Sequence, residues 1–247
     1  MQSLSRCRQA RCLLVFAQVV SLSVVFHFYV LLRIRPELFY QQKPDVFLFD
    51  GYFFAPYLER PGGMVEYASA FLSPLFAFGW LGALVVTLLA AFICAATRQL
   101  MAAMAASRAD DSGHGDADGA GNPGHVVFLI PAVLVLMVFG RYTHPVSLCV
   151  GLCVVLALAG AYVRIGRGRA AVRLTAFVIG SALAYYAAAG LYVVFAVLCG
   201  IFEWRIHRCR WLAACCALSA VIVPLAAGVW LGGMSVQEAY RGILLPT

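Results

Sequence analysis

The chain has 247 residues, 63% of them hydrophobic and only 12% charged, with a mean hydropathy of +0.89. A soluble domain carries about 45–50% apolar and about 25% charged residues, so the composition excludes a water-soluble globule and makes lipid the solvent for much of the surface. The formal net charge is +7, but 17 of the 18 basic residues are arginines set in short clusters between apolar runs; that pattern marks membrane boundaries and excludes nucleic acid as a partner.

The expected fold is all-α, a polytopic bundle of about seven spans in a single transmembrane domain over 1–247. Residues 12–32 are almost wholly apolar, follow Arg6, Arg8 and Arg11, and lack an A-x-A ending. They read as an uncleaved first span with the N-terminus in the cytoplasm and the protein in the cell inner membrane. The second run is 72–96. Residues 97–124 are read as a flexible cytoplasmic loop, since SRADDSGHGDADGAGNPGH has no apolar anchors. The third run, 125–140, ends at Arg141. After the short turn RYTHP the fourth run covers 146–163, and the arginine-rich RIGRGRAAVR follows.

The stretch 174–204 decides the span count. As one crossing it makes six spans and divides the basic residues ten inside to eight outside. Folded back near Ala188–Gly190 it makes seven, places RIHRCR inside, and divides them twelve to six. The positive-inside rule favours the second. The last run is 211–231. The tail SVQEAYRGILLPT ends in an amphipathic segment, which reads as part of a longer protein.

Of the nine cysteines, six lie inside apolar runs and the others near basic ends, as expected for reduced, packed thiols. Cys149 and Cys153 share a helix face without further soft or imidazole ligands nearby. No residue set specifies a metal or a cofactor.

Function is sought between the first two spans. Residues 33–71 carry five of the eleven acids: Glu37, Asp45, Asp50, Glu59 and Glu66. Their dense aromatics favour the membrane interface, so short interfacial helices are expected there. Pro61-Gly62-Gly63 reads as a turn, and Met64 to Phe71 as an amphipathic helix with Glu66 in its first turns. Asp50, closely flanked by aromatics, and Asp45 are the candidate catalytic carboxylates, as a general base or a cation ligand beside a phosphate. Arg141 and His144, in the second outer turn, and Glu66 are the candidate substrate-binding residues. Glu203, at a cytoplasmic helix end, is expected to pair with Arg205.

The segment from Phe47 to Leu89 resembles the start of an uncharacterised family of bacterial multi-pass membrane proteins. The resemblance rests on Pro61, Gly62, Gly63, Glu66 and Tyr67 (P-G-G-x-x-E-Y), then Trp80, Leu81, Gly82 and Ala83 (W-L-G-A). Tyr185-Tyr186 with Gly190, and an apolar run ending at Glu203, make a weaker second match. A more distant similarity is to the GT-C membrane glycosyltransferases. It implies transfer of sugar from a polyprenyl-phosphate donor at the outer face, with an acid of the first outer loop in the site. Asp50, or less closely Asp45, occupies that place. The loop has no D-D, D-E or D-x-D pair, and Asp110-Asp111 lies on the cytoplasmic side. A non-enzymatic scaffold or assembly subunit is the alternative. A transporter is disfavoured, because the spans lack embedded ionisable residues away from their ends.

Overall fold

A computed structural model describes residues 20–21, 23–38, 47, 50–112, 130–140, 146–165, 170–205 and 209–226. These are almost wholly helical, with no strand among the described residues. The first helix, α1 (Ser23–Ile34), ends in a widened turn over Val30–Ile34, and the chain then turns at Arg35, whose φ is +51°. Two short helices follow, α2 (Gly51–Leu58) and α3 (Gly63–Leu72). The long helices are α4 (Gly79–Ser112), α5 (Ile130–Gly140), α6 (Val146–Arg164), α7 (Ala170–Ala188), α8 (Tyr192–Arg205) and α9 (Arg210–Ala226).

Among the described residues, three helical stretches are long and apolar enough to cross a membrane: Gly79–Met104, Val146–Arg164 and Ala170–Arg205, the last interrupted by the turn Ala189–Leu191. Helix α6 is the hub, packing against α3, α4, α7 and α8, while α9 lies mainly on α8. Its buried positions are Cys149, Gly151, Val155, Leu156, Ala159 and Tyr162, a helical stripe rich in small side chains. In lipid such stripes let helices approach closely, because dispersion contacts replace the hydrophobic drive.

The second span differs from expectation at both ends. It does not begin at Leu72. Pro74 lacks an N–H, so α3 stops and a tight helical turn, Ser73–Ala77, intervenes, followed by the extended Phe78, before α4 starts at Gly79. Helix α4 then continues to Ser112, through part of the stretch expected to be loop, because the Ala-rich segment after Arg98 is a strong helix former. Residues 113–124 lie outside the described residues. Gly82 of W-L-G-A is a point of close approach: a Cβ there would stand 2.7 Å from Cβ of the buried Pro36.

The stretch 174–204 folds back. In a continuous helix Arg173 and Glu203 would lie about 45 Å apart at about 1.5 Å per residue; their side chains meet at 3.0 Å. The break is at Ala188–Leu191, where Ala189 has φ +42° and a tight helical turn, Ala189–Leu191, reverses the chain. Along the hairpin Phe177 stacks on Phe195 with centroids 6.0 Å apart, and Tyr185 meets Tyr192 edge-on at 6.2 Å. The fold-back reading of this stretch therefore describes α7 and α8.

Candidate functional site

Two polar regions sit at opposite ends of this hairpin. At the tip end, α2 and α3 form an aromatic cap. Tyr67 of α3 lies 4.7 Å from Phe54, 5.7 Å from Tyr57 and 6.4 Å from Phe53 between ring centroids. Phe47 joins the group through Phe53, Tyr67 and Phe71 at 5.2–5.5 Å. Tilted and edge-on pairs of this kind add about 0.5–1.5 kcal/mol each beyond the area they bury.

The cap docks on the hairpin through its glycine turn. Gly62 has φ +84°, a left-handed conformation open to glycine at no steric cost. Its N–H donates to the Tyr186 carbonyl at 2.8 Å, and the Tyr186 hydroxyl donates to the Leu58 carbonyl at 2.9 Å. A Cβ on Gly62 would stand 2.9 Å from that of Ala189. The two sequence motifs, P-G-G and Tyr185-Tyr186, thus meet in space. The contact also covers Ala189, whose positive φ costs about 1–2 kcal/mol for a residue bearing a Cβ.

Among the candidate residues, Asp50 is exposed and caps α2 with extended backbone (φ −128°, ψ 145°). Its carbonyl accepts from the Phe53 and Phe54 N–H groups, while its carboxylate makes no capping bond. The rings of Phe53, Phe54 and Tyr57 turn towards Tyr67 of α3. Glu66, in the first turn of α3, faces Arg60 at 3.9 Å, with both side chains more than half exposed. Arg60 in turn lies over the Tyr57 ring at 5.6 Å. Asp45, Arg141 and His144 lie outside the described residues.

At the open end of the hairpin lies the feature that sequence reasoning missed. Glu203 is 0% exposed. It accepts from the Tyr162 hydroxyl of α6 at 2.7 Å and from Nη1 of Arg173 of α7 at 3.0 Å. Its expected partner, Arg205, is exposed instead. The reason is helical geometry: residues two apart on a helix do not face each other, so Glu203 turns into the bundle while Arg205 faces out. One carboxylate thereby joins three helices. Arg173 Nε and Ser181 Oγ are buried with no hydrogen-bond partner among the described residues. The signal available in the sequence was a single acid inside an arginine-rich region, a carboxylate that in lipid must be paired.

Two further polar contacts also join elements. Arg164 donates to Gln99 of α4 at 3.2 Å, and Tyr192 to Ser219 of α9 at 3.0 Å. Among the described residues no group of three or more His, Cys, Asp or Glu side chains is arranged to hold a metal ion.

No curated protein and no solved structure matches the chain. A model of a family of unknown function matches residues 8–247, nearly the whole length. The chain is a helical, membrane-type member of that family, DUF6057.

Proposed function

We propose that the chain is a seven-span protein of the inner membrane, with a cytoplasmic N-terminus, that works as a scaffold presenting the α2–α3 cap at the outer membrane surface. The observation that carries this is the attachment of the cap: its glycine turn hydrogen-bonds to the hairpin tip at Tyr186, and its ring cluster holds α2 to α3. The cap is therefore a surface mounted on membrane helices. Tyr52, 89% exposed, is its most outward ring. A photo-crosslinking residue at position 52 is expected to yield one discrete protein adduct in intact cells, lost when Gly62→Val undocks the cap. Adducts to lipid alone would refute the scaffold.

One observation favours a second reading, a GT-C-like transferase acting on a polyprenyl-phosphate-linked sugar. The Asp50 carboxylate makes no capping bond and is open at the surface. In this reading it, or less closely Asp45, is the base or cation contact, and Arg141, His144 and Glu66 hold the phosphate-bearing substrate. Asp50→Asn then abolishes sugar transfer from a lipid-linked donor in isolated membranes while insertion is normal. Unchanged transfer sinks it.

A further inference from the structure

We propose that the adjoining ends of α8 and α9, Trp204-Arg205 and Arg210-Trp211, form a binding site for the phosphate headgroup of an anionic phospholipid. The sequence there is W-R-I-H-R-C-R-W, a near-palindrome from Trp204 to Trp211. The Cys209 N–H donates to the Glu203 carbonyl at 3.3 Å, which ties the residue before α9 to the last turn of α8, so that Trp204-Arg205 ends one helix close to where Arg210-Trp211 begins the next. Each helix end thus carries an indole and a guanidinium on successive residues. Trp204 is 65% and Trp211 81% exposed, and both arginines are exposed as well.

Indoles with one wet edge settle at headgroup depth, where the neighbouring guanidiniums meet lipid phosphates in bidentate geometry. The local charge is one-sided. Between Arg164 and Trp211 there are seven arginines and a single acid, Glu203. That acid is fully buried and bonded to Arg173 and Tyr162. It is therefore not available to Arg205 or Arg210, neither of which has an acidic partner among the described residues. Arg210 is also the first residue of α9, where the positive end of the helix dipole disfavours a cation. An external anion relieves that repulsion. The other arginine-rich stretch, from Arg164 to Arg173, has no tryptophan, so adjacent indoles and arginines occur only at this one of the two.

The site rests on the multi-pass membrane reading, which resistance of the chain to alkaline extraction from membranes tests separately. The test of the site uses the purified full chain in phosphatidylcholine nanodiscs containing a minor share of phosphatidylglycerol, with bound lipid counted by native mass spectrometry. Wild type is expected to retain phosphatidylglycerol in preference to phosphatidylcholine. At about 1 kcal/mol per basic residue near an anionic surface, each arginine contributes about fivefold, so Arg205→Gln with Arg210→Gln lowers the preference about 25-fold. The lysine pair keeps part of it, and Arg60→Gln, at the cap end, leaves it unchanged. Added salt weakens it. An undiminished preference in the double glutamine variant overturns the proposal. So does full displacement by inorganic phosphate at matched concentration, which would make this a site for the free anion.

Discussion

The sharpest stability test is the carboxylate at the open end of the hairpin. Glu203 and Arg173 form an ion pair at 3.0 Å with the carboxylate wholly buried. Two unit charges about 4 Å apart attract by about 4 kcal/mol at an effective dielectric of about 20, and desolvation of both offsets much of this. Removing one partner leaves the other charge buried and unpaired, which costs about 3–5 kcal/mol. Glu203→Leu and Arg173→Leu should therefore each destabilise strongly, while the double variant, which buries two apolar chains, should recover most of the loss. Tyr162→Phe removes one hydrogen bond to the same carboxylate, and such bonds between membrane helices average about 0.6 kcal/mol with a maximum near about 1.7. The assay is reversible unfolding of the purified chain in mixed micelles by titration with a denaturing detergent, followed by far-ultraviolet circular dichroism. The double-mutant cycle isolates the pair. If Glu203→Leu unfolds within about 0.5 kcal/mol of wild type, or the double variant is worse than the two singles summed, the latch does not hold the hairpin.

Three further outcomes follow from the same geometry. Gly62→Ala places a Cβ 2.9 Å from Ala189 at a φ of +84°, and the combined strain and overpacking should cost about 2–4 kcal/mol in the same titration. Gly180→Ala puts a methyl 2.8 Å from the Phe195 ring and should cost about 1–3 kcal/mol by prising α7 from α8, read as faster proteolysis at the tip. A cysteine placed at position 207 in a cysteine-free chain should react with a membrane-impermeant maleimide only from the side that bears the N-terminus; labelling from the opposite side would refute the sidedness proposed for the hairpin.

Much of the hairpin was legible because charge balance and length both point to it. The run 174–204 is too long for an untilted span, and folding it puts both arginine clusters on one side. The glycine turn was equally visible, since Pro61-Gly62-Gly63 has few other uses. What the turn touches was not visible: Gly62 and Tyr186 are separated by the whole of α4, α5 and α6, and no local pattern encodes that contact. The boundaries of α4 were misjudged at both ends because hydropathy measures solvent preference, whereas Pro74 and the Ala-rich segment act on the backbone. Glu203 was read from its neighbour in sequence, Arg205, although a helix turns residues two apart to different faces. In the cap, the aromatics that flank Asp50 in sequence would restrict solvent around its carboxylate if they packed against it. Their rings instead pack across to Tyr67 and leave Asp50 exposed.

The hairpin explains why the two polar regions belong to one design. An antiparallel helix pair in lipid gains little from burying apolar surface, since the tails are as apolar as its side chains. Its closure must come from directional contacts, and these are concentrated at its two ends. At one end a glycine turn from a distant segment covers the strained Ala189 and bonds to Tyr186. At the other a carboxylate binds an arginine from its own hairpin and a tyrosine from α6. Between them small residues and the Phe177–Phe195 stack provide close contact without direction. Loosening the open end should therefore leave the tip bonded, and undocking the cap should leave the Glu203 latch intact. The Glu203→Leu variant is accordingly expected to keep the Tyr52 crosslink even though its global stability falls. Loss of that crosslink in Glu203→Leu would mean that the two ends are coupled through the helices, and that the cap is not held by its own contacts.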